Sequence, residues 1–133
     1  MSVGVRKHRN VARDFRTVKA QFRALLQQPL RKFPMPGEPL DAPKLKGVYV
    51  IYDPKGKVVH VGRTPKARGG LAQRLKDHLS GASSFTLHYL KKDGAKLRGR
   101  YRFRCLAVGD RWLRAYLEAY AIGRLCPAHI GLG

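Results

Sequence analysis

Apolar residues near the start of the chain recur at steps of three or four positions. Between Val11 and Gln28 they stand at positions 11, 15, 18, 22, 25 and 26, and basic residues fill many of the sites between them. This spacing predicts an amphipathic helix with a basic outer face, which Pro29 is expected to end. The helix is expected to bind DNA, to dock on the core or to mediate dimers, because its apolar face has to be buried.

The pattern changes twice after this helix. Residues 29–43 contain five of the eight prolines of the chain, which predicts an extended linker or surface strap. From Lys44 onwards, short apolar runs and helical patterns follow one another, as in a compact α/β core. We therefore divide the chain into a basic N-terminal helix with its proline-rich strap, residues 1–43, and a core, residues 44–133.

The core begins with the signature of a β-hairpin. Residues 47–52 and 57–62 are apolar and rich in β-branched side chains, and the tetrapeptide DPKG between them suits a type I turn. Residues 101–108 alternate basic and apolar positions, which predicts a third, half-exposed strand. Residues 83–90 fit either a strand or an irregular segment.

Two helices are predicted in the core. The first covers residues 71–80, with leucines on one face and Gly81 as the expected C-cap. The second runs from Arg111 to about Leu125, with Asp110 as its expected N-cap. The predicted fold class is therefore α/β, with a small, mostly antiparallel three-stranded sheet flanked by helices.

The charge of the chain narrows the classes of partner. Lys and Arg total 28 against 8 Asp and Glu, giving a net charge of +20. Such a charge favours a polyanion, nucleic acid first and an anionic membrane surface second. No apolar run is long enough to span a bilayer, and the N-terminus lacks the apolar stretch of a secretory signal. Cys105 and Cys126 have no metal-binding spacing and are expected to be buried thiols in a reducing cytoplasm.

Five polar residues of the core stand out as candidates for chemistry. Tyr49 and His60 lie on opposite strands of the predicted hairpin, where pairing brings both rings to one face. Arg74 and His78 are four residues apart and share a helix face. Glu118 is a lone carboxylate in an apolar helical run and one of only two glutamates in the chain.

At these residues the chain resembles the GIY-YIG nuclease family. The stretch GVYVIYDPKGKVVHVGRT is similar to the first two motifs, QRLKDHL to the arginine-containing helix, and LEAYAIGRLCP to the helix that bears the metal-binding glutamate. The four pieces have the family's order and spacing and cover about residues 46–130. The resemblance implies a GIY-YIG-like fold and hydrolysis of phosphodiester bonds.

The resemblance also implies a role for each candidate. Tyr49 would activate the attacking water or lie next to it, and Arg74 would hold the scissile phosphate. Glu118 would bind the one divalent metal ion, Mg²⁺ or Mn²⁺. His60 falls where the family has its second-motif tyrosine, and His78 matches a histidine that some restriction-type members carry.

Two basic residues, Lys46 and Arg63, complete the predicted site as candidates to bind nucleic acid. Lys46 and Arg74 are candidates to favour the phenolate of Tyr49, because a phenol with its ordinary pKa is a poor base at neutral pH. Arg63 follows the second motif directly and is either a phosphate contact or a solvated charge. His88 and His129 are not expected to be catalytic.

Two departures from the family pattern bear on activity. His60 replaces a tyrosine, and because an ordinary imidazole titrates near neutrality, the replacement is expected to change the pH profile. Ile130 stands where many members have an asparagine, which puts that contact to the site in doubt. A structural alternative for Glu118 is an ion pair with Arg114, one helical turn earlier.

Together these features predict a metal-dependent DNA endonuclease, cytoplasmic, with one bound metal ion and no membrane association. DNA is favoured over RNA as substrate, and a homodimer is compatible with the short chain. Two alternatives stay open. One is a non-catalytic nucleic-acid-binding module on the same fold, and the other is a basic protein associated with RNA or the ribosome.

Overall fold

The structure is a computed structural model that describes residues 4–6, 10–65 and 68–131. Three α-helices and four β-strands form in this part of the chain. They are α1 (Val11–Leu26), β1 (Arg31–Lys32), β2 (Gly47–Tyr52), β3 (Val58–Arg63), α2 (Gly70–Ser80), β4 (Arg102–Ala107) and α3 (Arg111–Leu125). A π-helical turn (Phe85–Tyr89) and a 3₁₀ turn (Gly94–Leu97) lie between α2 and β4.

The four strands form one antiparallel sheet in the order β1-β4-β2-β3. The mixed α/β class and the antiparallel sheet confirm the predicted fold class, but the predicted number of three strands is wrong. The additional strand is β1, in which Arg31 pairs with Phe103 and Lys32 with Arg102. A two-residue strand between prolines carries no alternation that a sequence pattern could reveal.

The central strand β2 separates two apolar cores. All six of its residues are buried, and alternate side chains point to opposite faces of the sheet. Val48 and Val50 face α1 and α3, together with Val61 of β3. Tyr49 and Ile51 face α2 and the turn Phe85–Tyr89. The second face carries the predicted catalytic tyrosine.

Helix α1 docks on the core. Its residues Val18, Phe22 and Leu25 are buried in the same apolar cluster as Leu117 of α3. The ring of Tyr120 in α3 meets the rings of Phe15 and Phe22 edge-on, at centroid distances of 6.1 and 5.2 Å. Of the three roles that the sequence left open for this helix, the structure shows docking. The division of the chain at residue 43 stays a prediction.

Because of this packing, Leu25→Ala is expected to lower the free energy of unfolding by about 2–5 kcal/mol. Leu25 is fully buried, so its truncation leaves a cavity between α1 and the sheet. Urea unfolding followed by circular dichroism measures the effect. Leu45→Ala is the matched control, because the Leu45 side chain is 62% exposed. Equal costs for the two changes would show that α1 does not belong to the cooperative core.

Several local signals led to correct predictions. The Gly56 N–H donates to the Asp53 carbonyl across the hairpin turn, at 3.0 Å. Gly81 ends α2 with φ +90°, a conformation that glycine adopts readily. The Asp110 side chain accepts hydrogen bonds from Trp112 N and Leu113 N at the start of α3. Helix α1 ends at Leu26, two residues before the predicted limit.

The expectation that both cysteines are buried is wrong. Cys105 is half-buried and Cys126 is exposed, and both are free thiols. Cys126 follows the last residue of α3 in a left-handed conformation, which turns it away from the core. The ambiguous segment 83–90 contains the π-helical turn instead of a strand. None of the described helices is long and apolar enough to cross a membrane.

Candidate active site

Tyr49 sits in the middle of the sheet and is fully buried. Its Cα partner on β3 is Gly62. A Cβ atom at position 62 would lie 2.4 Å from the Tyr49 hydroxyl oxygen, closer than atoms can approach. The missing side chain of Gly62 therefore makes room for the phenol to lie across β3.

The Tyr49 hydroxyl lies 2.7 Å from Nε2 of His78 on α2. His78 is fully buried, and its Nδ1 atom lies 2.6 Å from the hydroxyl of Ser83. Burial raises the pKa of the Tyr49 phenol, and the charge of Arg74 opposes that rise. Burial lowers the pKa of His78, as do His60 and Arg74. The resting pair is thus a neutral phenol beside a neutral imidazole.

His60 lies on the same face of the sheet, diagonal to Tyr49. Their ring centroids are 6.0 Å apart, and the His60 imidazole stacks on Phe85 at 4.8 Å. Its Nδ1 atom lies 3.1 Å from Nδ1 of His129. Burial and the neighbouring His129 lower the pKa of His60 to about 4. The expectation that His60 titrates near neutrality is therefore wrong, because the pattern of the sequence does not report burial.

This shift predicts an acid-sensitive fold. The unfolded chain has His60 with an ordinary pKa of about 6.5 and binds its proton before the folded chain does. The stability contributed by neutral His60 is thus complete above about pH 6.5 and falls as the pH drops towards 4. Between pH 7.0 and 5.0, wild type is expected to lose about 2 kcal/mol more than His60→Tyr.

Urea unfolding at the two pH values measures this difference. The exposed His88 offers a matched control, because His88→Tyr removes a histidine without removing a buried one. Wild type and His60→Tyr with the same pH dependence would contradict burial of a neutral imidazole at position 60.

Arg74 links the candidate residues electrostatically. Its charge acts on the pKa of Tyr49, His60, His78 and Glu118. Its nearest carboxylate is Asp77, one helical turn away at 3.8 Å. Nε of Arg74 is buried and has no hydrogen-bond partner in the described part of the chain. A buried donor without a partner is costly, so this guanidinium is suited to receive an anionic ligand.

Glu118 of α3 faces Arg63 of β3, with 3.8 Å between Oε1 and Nε. Burial raises the pKa of Glu118, while the charges of Arg63 and Arg74 oppose the rise. The alternative pairing of Glu118 with Arg114 is wrong. Arg114 instead donates to the carbonyl oxygens of Val108 and Gly109, because its side chain turns back over the start of the helix.

The carboxylate of Glu118 fits a hydrated divalent cation. Its side chain is 25% exposed, and its separation from Arg63 is longer than a hydrogen bond, which leaves lone pairs for another ligand. Among the described residues, no group of three or more His, Cys, Asp or Glu side chains could enclose a metal ion. A single carboxylate suits Mg²⁺, which usually retains several waters and takes phosphate oxygens as well.

A basic cleft of about 660 Å³ opens beside Arg63. Lys46, Arg63, Arg111 and Arg114 line it, together with Trp112. The two residues predicted to bind nucleic acid thus share one cleft. Of the two cations considered for Tyr49, Arg74 acts on the phenol, whereas Lys46 lines the cleft.

Three residues that contact the candidate site, His129, Ser83 and Thr86, were not predicted from the sequence. His129 was set aside, although it touches His60, and its backbone N–H donates to Val59 O at 2.9 Å. Ser83 and Thr86 lie in the segment that had no clear prediction. Their hydroxyls carried no signal, because no motif includes them and their contacts arise only when the chain folds. Ile130, next to His129, is 41% exposed.

Comparison with solved structures identifies the fold. The GIY-YIG N-terminal endonuclease domain of UvrC from Thermotoga maritima, bound to its catalytic magnesium ion, is 21% identical to this chain. The TM-score is 0.51, and the match covers 69% of this chain and 90% of that one. A tyrosine-to-phenylalanine mutant of the same domain matches over 86% of this chain and 97% of its own, with 16% identity and a TM-score of 0.50.

Neither protein-family models nor curated proteins gave a match to the chain. At these identities the structural matches establish the fold. The chain therefore has the GIY-YIG fold, and the resemblance noted from its motifs is confirmed at that level.

Proposed function

We propose that this protein is a metal-dependent endonuclease that hydrolyses phosphodiester bonds in DNA. The observation that carries the proposal is the electrostatic linkage of Tyr49, Arg74 and Glu118 within a GIY-YIG fold. The solved domains of this fold include one bound to a catalytic magnesium ion. A net charge of +20 and the basic cleft beside Arg63 favour a polyanionic substrate. We further propose that the protein acts in the cytoplasm.

In the proposed reaction, Tyr49 and His78 accept the proton of the attacking water. The water transfers a proton to the Tyr49 hydroxyl oxygen while the phenol passes its own proton to Nε2 of His78, 2.7 Å away. Oxygen of the water then bonds to phosphorus, and the bond from phosphorus to the leaving oxygen breaks. The leaving oxygen keeps the bonding electron pair and takes up a proton from solvent. Because Tyr49 has a raised pKa, a concerted transfer through neutral Tyr49 is favoured over a free phenolate. In the free protein, burial, His60 and Arg74 lower the pKa of His78, so the transfer requires the negative phosphate bound at Arg74 to offset that positive charge.

Arg74 and Glu118 have separate tasks at the phosphate. The unpartnered Nε of Arg74 would donate to a phosphate oxygen, which binds the scissile group and satisfies the buried donor. Glu118 would hold a hydrated Mg²⁺ or Mn²⁺ ion. When bound, the ion supplies positive charge that stabilises the developing negative charge of the transition state.

Cleavage of a nucleic-acid panel tests this function. The panel contains duplex, single-stranded and branched forms of DNA and RNA, each with Mg²⁺, Mn²⁺ or chelator. We expect cleavage of at least one DNA form with a metal and none with chelator. Cleavage that persists in chelator would contradict the role of the metal, and cleavage of RNA alone would contradict the choice of substrate.

The second candidate function is a non-catalytic nucleic-acid-binding module. The Arg63–Glu118 ion pair favours it, because a cation already faces the carboxylate that would hold the metal. Binding to the panel without cleavage under any metal condition would support this module over the enzyme.

A further inference from the structure

A series of buried hydrogen bonds begins at the Tyr49 hydroxyl. It passes from the Tyr49 hydroxyl to Nε2 of His78, and from Nδ1 of His78 to the Ser83 hydroxyl, at 2.7 and 2.6 Å. Ser83 Oγ lies 3.2 Å from the Thr86 hydroxyl, which in turn contacts the carbonyl oxygen of His78. All four residues are buried.

The contact between the Thr86 hydroxyl and the His78 carbonyl oxygen sets the direction of every hydrogen bond in this series. A carbonyl oxygen only accepts, so the Thr86 hydroxyl must donate its single proton to the His78 carbonyl. Thr86 Oγ1 then has no proton left for Ser83, so the Ser83 hydroxyl must donate to Thr86. Having used its own proton, Ser83 Oγ can only accept from His78, which requires a proton on Nδ1.

The position of the single imidazole proton also determines whether Nε2 of His78 donates or accepts. A neutral imidazole carries one proton, and when that proton is on Nδ1, Nε2 has a free lone pair. That lone pair faces the Tyr49 hydroxyl, which must therefore donate. The backbone N–H of Thr86 also donates to Ser83 Oγ at 3.2 Å, which fills the second lone pair of that oxygen. In this arrangement every donor faces an acceptor, and no two donors or two acceptors face each other.

We propose that Ser83 and Thr86 are positioning residues that hold His78 in the tautomer able to accept the Tyr49 proton. The catalytic meaning of this tautomer rests on the proposed nuclease function, whereas the tautomer itself does not. If the directions of these hydrogen bonds were reversed, the imidazole proton would lie on Nε2 and would be donated to the phenol oxygen. In that state Nε2 of His78 has no lone pair to offer, and Tyr49 has no acceptor for its proton.

The surroundings of His78 keep the imidazole neutral, and the proposed hydrogen-bond directions require a neutral ring. Its ring neighbours are Tyr49, His60 and Phe85, at centroid distances of 5.4, 5.4 and 5.5 Å. The charge of Arg74 also disfavours a second proton on the ring, and burial lowers its pKa further.

Nitrogen-15 NMR of histidine-labelled protein reads the tautomer directly, at neutral pH and without substrate. In wild type we expect His78 to show a protonated Nδ1 and an unprotonated Nε2. Thr86→Val keeps the shape of the side chain but removes its hydroxyl, which frees the Ser83 proton for Nδ1. The His78 signals should then move towards the opposite tautomer, and Thr86→Ser should restore the wild-type pattern.

Two further variants serve as a control and as a second test of the tautomer. Ser80→Ala is the matched control, because Ser80 Oγ also bonds a carbonyl oxygen of α2, that of Asp77, but does not touch His78. It should leave the tautomer unchanged. Ser83→Ala removes the acceptor of Nδ1 and serves if Thr86→Val does not fold. It should replace the single tautomer with a mixture.

Cleavage rates then connect the tautomer to the reaction. Thr86→Val is expected to cut at least about 10-fold more slowly, a part of the 10²–10⁴-fold that general acid–base catalysis contributes. Thr86→Ser should cut near the wild-type rate. A wild-type His78 protonated at Nε2, or a tautomer unmoved in both Thr86→Val and Ser83→Ala, would overturn the proposal. The expected tautomers in a protein that cuts nothing would support the positioning role and reject the nuclease function.

Discussion

Glu118→Gln is expected to lower cleavage of DNA by about 10³-fold or more while DNA binding persists. Glutamine keeps the size and polarity of the side chain but removes the charge that holds a hard cation. Without the ion, the transition state loses several kcal/mol of charge stabilisation, whereas Arg74 and the cleft residues remain. Binding should be unchanged or tighter, because a negative charge near the phosphate has gone.

Glu38→Gln is a matched control, since Glu38 is the only other glutamate in the chain and lies exposed on the strap. Cleavage rate and DNA affinity are measured for wild type and both variants, with and without Mg²⁺. A purely structural Glu118 would contribute only its ion pair with Arg63, which joins half-exposed groups and is worth about 0.2–1 kcal/mol. Near wild-type cleavage by Glu118→Gln would exclude Glu118 as the metal ligand.

Affinity for DNA is expected to fall about 10³–10⁵-fold between 50 and 200 mM salt if about 6–10 phosphates are contacted. Each contacted phosphate releases condensed counterions on binding, and added salt reduces that gain. The chain has the charge for such contacts, +20 in total, and its basic cleft lies beside the candidate site. Fluorescence anisotropy of a labelled duplex in chelator measures binding without cleavage.

Single substitutions locate the contacts. Lys46→Gln and Arg111→Gln remove cations that line the cleft and should each lower the slope of log affinity against log salt by about 1. Lys55→Gln is the control, because Lys55 lies in the β2–β3 turn, at the opposite end of the hairpin from Lys46. An affinity that barely changes with salt would contradict a phosphate-binding surface.

The motifs of the candidate site predict which residues come together but not the environment of each residue. Tyr49, Arg74 and Glu118 were predicted from the resemblance of their motifs to the GIY-YIG family, and the structure places them within electrostatic range of one another. Their environments were not predictable in the same way. The burial that lowers the pKa of His60 comes from Phe85 and His129, which lie 25 and 69 positions further along the chain. A motif can therefore suggest the role of a residue, but its pH dependence follows only from the packing of the folded site.

The sequence by itself determined the local elements of this protein. The hairpin turn, the Gly81 cap and the Asp110 cap depend on neighbouring residues, so their signals are contained in a few consecutive positions. Only the tertiary structure decided the pairing of β1 with β4, the docking of α1, the Arg63–Glu118 ion pair and the relay from Tyr49 to Thr86. These features join residues far apart in the chain, and contacts of that kind form only when the packed fold offsets the entropy of bringing them together.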